Sequence, residues 1–129
     1  MPAQRKLLLT DPLIVALSNR FTIKPGMFKM NPRSYYNFHV DSTRNVAINM
    51  LLEGPDSYTM FGKQTESIEV TNVTDQLIYE DSAYYIFNTA SPHSVLNLSQ
   101  NTRYLLTIGI PDLNVSYEDV KNFCVEAGL

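Results

Sequence analysis

The sequence predicts an all-β domain: an antiparallel β-sandwich of Ig-like or jelly-roll outline, with about eight short strands and one short C-terminal helix. Three observations carry this. Runs with apolar residues at every second position recur about every ten residues and are separated by Gly, Pro, Asn, Asp and Ser. Eight Tyr and six Phe, with many Val, Ile and Thr, suit pleated, half-buried surfaces. Helical spacing sets in only near the end of the chain, so no strand–helix–strand alternation builds a parallel sheet. The length of 129 residues fits one domain over 1–129, with 1–12 as an N-terminal arm and 116–127 as a terminal helix.

Taken in order, Leu13–Leu17 (LIVAL) after Pro12 reads as a first buried strand, and Arg20–Ile23 alternates again. Lys24–Arg33, KPGMFKMNPR, reads as a loop because Pro25-Gly26 sets a turn and Pro32 disfavours helix before it. The strongest stretch is Ser34–Glu53, expected as a central hairpin around Asp41-Ser42-Thr43-Arg44. One strand has Tyr36, Phe38 and Val40 on a face, with His39 opposite. The other has Val46, Ile48, Met50 and Leu52 on a face, with Ala47 and Asn49 pointing away.

Short strands follow at Tyr58–Phe61, Ser67–Asn72 and Gln76–Tyr79, with turns between them. Ala83–Thr89 is apolar or aromatic on both faces and reads as a central strand. Residues 90–101 read as a connection, and Thr102–Ile110 as a second strong strand. Ser116 with Asp119 is a variant capping box. Val120, Phe123, Cys124 and Ala127 recur at helical spacing, and Gly128 stands where a helix would stop.

The single cysteine, Cys124, excludes an internal disulfide and any cysteine-based zinc site, and reads as a buried helix residue. Arg5-Lys6 precede an apolar stretch, but Thr10-Asp11-Pro12 interrupts it, so no signal peptide is evident and no segment is long enough to span a membrane. The expected localisation is a virion or the cytoplasm.

The charge is uneven. Residues 1–40 hold six basic residues against one acid, and residues 41–129 hold four against twelve. A basic leading segment on an acidic body points to a protein partner or to self-association. Lys24, Met27, Phe28, Lys29, Met30 and Arg33 form the expected partner-binding surface, with apolar anchors rimmed by cations. Nucleic acid is disfavoured because the acidic body repels phosphate.

No phosphate-cradling glycine loop, dinucleotide fingerprint or H-E-x-x-H zinc motif occurs. His93 reads as an exposed loop residue and His39 as a surface or partner-facing one; Asp56, Asp75, Glu80 and Asp81 read as solvated turn acids. No catalytic, cofactor or metal residues are therefore assigned. The expected role is a non-enzymatic structural or assembly protein that docks on neighbouring subunits, such as a capsid-decorating or tail-associated component of a virus or phage particle. The alternative is a carbohydrate- or peptide-binding module.

Overall fold

The computed structural model describes residues 11–54, 56–64, 71–80 and 82–129. Helix α1 (Pro12–Arg20) precedes strands β1 (Lys24–Met30), β2 (Ser34–His39), β3 (Val46–Glu53), β4 (Ser57–Gln64), β5 (Thr71–Ile78), β6 (Tyr85–Asn88), β7 (His93–Asn97) and β8 (Arg103–Gly109). Helix α2 (Tyr117–Glu126) closes the chain. The strands make two four-stranded antiparallel sheets, ordered β1-β8-β3-β6 and β2-β7-β4-β5. Successive strands cross between the sheets except at the β4–β5 hairpin, which is the wound hairpin of a jelly roll. The expected all-β class, strand number and C-terminal helix are therefore present, and jelly-roll rather than Ig-like winding describes them.

Local readings change in several places. Leu13–Leu17 is helical, not a strand. The Asp11 side chain accepts from the Leu13 and Ile14 amides at 2.9 and 3.3 Å, and Pro12 occupies the first turn. Ile14, Leu17 and Phe21 then fall on one buried helical face. Lys24–Met30 is a strand, not a loop, paired with β8 from Lys24↔Gly109 to Met30↔Arg103. Pro25 is tolerated because β1 is an edge strand, where one side of the backbone has no ladder partner.

Ser34–Glu53 is not a hairpin. β2 and β3 lie in different sheets, and the intervening segment crosses between them, tied down where the Asp41 amide donates to the Thr89 carbonyl at 2.9 Å. β6 is an edge strand rather than a central one, and the connection expected at 90–101 contains β7. β5 runs through Val73-Thr74-Asp75, expected as a turn, and a register shift between Phe61 and Gly62 of β4 accommodates it. Residues 67–70 of the expected 67–72 strand, and 1–10 of the expected arm, lie outside the described residues.

The main apolar core lies outside the barrel. Ile14, Leu17 and Phe21 of the α1 region pack with Val120 and Cys124 of α2 against Val46 and Ile48 of β3 and Ile108 and Ile110 at β8. Phe21 and Phe123 meet edge to face, 5.5 Å apart. The helix expected near the C-terminus is capped as read: the Asp119 amide donates to Ser116 Oγ at 3.2 Å, and the Ser116 amide donates to Asp119 Oδ2 at 2.9 Å. Those bonds hold the Asp119 carboxyl below the usual carboxylate range. Cys124 is buried as expected, and burial pushes its thiol up.

Residues on the opposite faces of β3 and β8 are buried too, and many are polar: Asn49, Arg103 and Thr107 point between the sheets, where Thr59 and Asn97 join them. Asn97 pins the closed end. Its Nδ2 donates to the carbonyls of Asn31 and Asn101 at 3.0 and 2.9 Å, and its Oδ1 accepts from the Ser99 amide and hydroxyl.

The helical assignment of α1 predicts that Leu17→Ala costs about 2–5 kcal/mol in urea unfolding, whereas Val15→Ala, on the outward face, costs less than about 1 kcal/mol. Equal losses at the two positions would contradict the helix.

Candidate metal centre in the barrel interior

An open cavity of about 830 Å³ lies between the sheets, lined in part by Asn49, Thr59, Tyr79, Phe87, Arg103 and Thr107. His39, Asp41 and His93 line it as well, and one ligand atom from each lies within 4.8 Å of the others. Among the described residues no other three His, Cys, Asp or Glu side chains converge in this way.

Each of the three is placed by a different local device. Tyr36 of β2 pairs with Val95 of β7, but the next pair is His39 with His93, so β2 carries an extra residue. That bulge brings His39 to the inner face beside His93, overriding plain alternation. Asp41 lies two residues beyond His39, at the start of the crossing to β3, where its own amide is held by Thr89. His93 opens β7 directly after Pro92 and pairs with Phe61 of β4; it is 6% exposed and not the exposed loop residue expected from sequence.

The electron pairs point inward. His39 Nδ1 donates to the Asn37 carbonyl at 2.7 Å, and His93 Nδ1 donates to the Ser91 carbonyl at 2.8 Å. Each neutral ring therefore presents an unprotonated Nε2, and these lie 3.5 and 3.4 Å from Asp41 Oδ1. Burial pushes His93 below the usual imidazole range, which favours its neutral form. Two nitrogen lone pairs thus face a carboxylate oxygen, an arrangement that a cation between them relieves.

The supporting layer is complete. Arg44 Nε donates to Asp41 Oδ2 at 2.7 Å, leaving Oδ1 toward the histidines, and Arg44 Nη1 donates to Thr107 Oγ1 at 3.1 Å. Thr89 Oγ1 in turn donates to the Arg44 carbonyl at 3.0 Å. Gly109 makes room for this arginine, since a Cβ there would lie 3.1 Å from Arg44 Nη1. Aromatic rings pack the histidines: Tyr36 meets His39 edge-on at 4.3 Å, and Phe61 lies 6.1 Å from His93.

Five of the six residues expected to bind a partner, Lys24, Met27, Phe28, Lys29 and Met30, lie along β1 at the cavity, with Phe28 still 52% exposed. Arg33 sits apart in the β1–β2 turn with φ 50°. Of the acids read as turn residues, Asp56, Asp75 and Glu80 do not line the cavity, Asp75 lying within β5, and Asp81 lies outside the described residues. His-x-Asp at a strand end is the one sequence signal that could have found the centre, because residues two apart share a strand face.

The winding and the interior cluster define the molecule as a small jelly-roll protein with a hollow, polar interior. No protein-family model matches the chain, and no curated protein matches it. Among solved structures, a cupin superfamily protein from Desulfitobacterium hafniense is similar over 70% of this chain and 68% of its own, at 11% identity and a TM-score of 0.44. A cupin 2 conserved barrel domain protein from Salinispora arenicola is similar over 81% and 71%, at 10% identity and a TM-score of 0.46. A DMSP lyase of Ruegeria pomeroyi is similar over 74% of this chain but 41% of its own, at 17% identity and a TM-score of 0.48.

The hydrogen bonds predict the ring tautomers. Nitrogen-15 spectra of the metal-free protein at neutral pH will show His93 in the Nδ1–H form with Nε2 bare. Its signals will move toward the Nε2–H form only if the Ser91 carbonyl is not its partner.

Proposed function

We propose that the protein is a metal-dependent enzyme of the barrel interior, in which His39, Asp41 and His93 hold one divalent transition-metal ion. The observation that carries this reading is the convergence of two bare Nε2 atoms and one carboxylate oxygen, each oriented by its own outer partner. The reading departs from the non-enzymatic role expected from the sequence.

Two histidines and one carboxylate suit iron(II) in non-haem oxygenases and also zinc in hydrolases. The cavity lining favours the first. Asp41 is its one carboxylate among the described residues, so no second acid stands ready to take a proton from an attacking water. Loaded with iron(II), such a site supplies dioxygen activation next to a bound organic substrate. The chain's own residues orient the ligand set: the Asn37 and Ser91 carbonyls fix the rings, and Arg44 holds the distal carboxylate oxygen. Tyr36 and Phe61 pack beside the His39 and His93 rings.

A second reading, docking on a protein partner or another copy as a particle component does, is supported by β1. It is an edge strand with Phe28 and Met27 exposed between Lys24 and Lys29.

Two measurements test these readings. Cobalt(II) or anaerobic iron(II) titrated into the protein will bind at one ion per chain, with ligand-field absorption for cobalt. His39→Ala and His93→Ala will abolish this, and Arg44→Met will weaken it about 10–100-fold. A folded wild-type chain that takes up neither ion contradicts the metal reading. For docking, light scattering will show a salt-sensitive oligomer that Phe28→Asp dissolves without loss of circular dichroism; a monomer at all salt concentrations removes self-association.

A further inference from the structure

The cavity holds a second charged group that the metal centre does not use. Arg103 begins β8 on the inner face, is 2% exposed and lines the same cavity as the histidines. Its Nε donates to Ser57 Oγ and its Nη2 to Tyr79 Oη at 3.2 Å, and its guanidinium lies 5.5 Å from the centre of the Tyr79 ring. Tyr79 Oη and Thr59 Oγ1 are also hydrogen-bonded, at 2.5 Å. No carboxylate pairs with Arg103 among the described residues. A buried guanidinium with neutral partners only and further N–H donors to fill is costly unless an anion completes it.

Neighbouring groups point the same way. Asn49 is 3% exposed, lines the cavity, and leaves its side-chain oxygen without a hydrogen-bond partner among the described residues. The inner part of the lining carries Arg44 and Arg103 against Asp41, and Lys24 and Lys29 lie on the exposed edge strand β1 at its rim, on opposite strand faces. Such a concave positive field concentrates small anions. The β4 register sets the distance between the two sites: Phe61 is level with His93, and Thr59, whose hydroxyl meets Tyr79, is two residues deeper. At about 3.4 Å per residue, the Thr59 level stands about 7 Å from that of His93, and the Ser57 level, where Arg103 Nε donates, about 14 Å.

We infer that the interior binds a short-chain organic acid, its carboxylate held by the Arg103 guanidinium with Ser57, Tyr79 and Thr59 around it, and its far oxygen function reaching the His39–Asp41–His93 centre. A planar carboxylate matches the guanidinium fork. Asn49 accepts from a hydroxyl or amine along the ligand. The far contact rests on the metal reading above, whereas the carboxylate anchor does not.

Succinate is the probe, with succinamide as its uncharged counterpart. In metal-free protein, succinate will shift the Arg103 Nε–H resonance saturably and succinamide will not. Arg103→Met will weaken succinate binding about 10–100-fold, the scale of lost charge-assisted hydrogen bonds. Tyr79→Phe keeps the cation and removes one hydroxyl, so it will weaken binding less; it serves as the deciding variant if Arg103→Met does not fold. In cobalt-loaded wild type, succinate will alter the ligand-field spectrum. Absence of a saturable Arg103 shift, or equal affinity for succinamide, overturns the anchor. Succinate binding that leaves the cobalt spectrum unchanged overturns the reach to the metal. Cobalt uptake without succinate is scored separately, so loss of the metal site and loss of the acid site give different results.

Discussion

The apolar layer between the outer face of the β1-β8-β3-β6 sheet and the two helices does the work that a sandwich usually assigns to the space between its sheets. Val46, Ile48, Ile108 and Ile110 meet Ile14, Leu17, Val120 and Cys124 there, and their burial supplies the main hydrophobic driving force. β3 and β8 are consequently buried on both faces. Once one face is satisfied by helices, the other is free to be polar, and the barrel can remain hollow without losing its hold. Remove the helices, and Asn49, Arg103 and Thr107 would be asked to form a core that they cannot form.

Asp41 is where the winding of the chain becomes chemistry. Its amide joins the β2–β3 crossing to Thr89 after β6, and its carboxylate faces His39 from β2 and His93 from β7 while holding Arg44. His39 and His93 are register partners in one sheet, and Asp41 joins them from the crossing that Thr89 ties to the other. Arg44 reaches on to Thr107 of β8 and its guanidinium lies 5.7 Å from the Phe28 ring of β1, so a single arginine spans the mouth of the barrel. A centre built this way is coupled to the fold as a whole rather than to one loop.

The division between what could and could not be read in the sequence follows from range. The capping box at Ser116 and the alternation of β3 and β8 are local, and both appear as expected. LIVAL is a short apolar run for which periodicity alone does not separate strand from helix; Asp11-Pro12, an N-cap followed by a first-turn proline, was the arbitrating signal. KPGMFKM carries turn residues, yet pairing with β8 overrides them at an edge where proline is harmless. Of the histidine centre only His39-x-Asp41 was legible. The centre as a whole depends on a bulge that re-aims His39 and on a strand 50-odd residues later in the chain, a separation on which no local pattern bears.

Charge completes the argument for what fills the interior. Among the described residues Asp41 is matched by Arg44 and Arg103 has only hydroxyl partners, so the described lining is net positive without any metal. A divalent ion on His39, Asp41 and His93 would add further positive charge to a partly dehydrated space, where unbalanced charge is expensive. The hydroxyls of Ser57, Thr59 and Tyr79 supply dipoles but no counter-charge. On the proposed reading a ligand carboxylate supplies that counter-charge, in a cavity that Arg103 and the His39–Asp41–His93 cluster share and whose described lining holds one acid, Asp41.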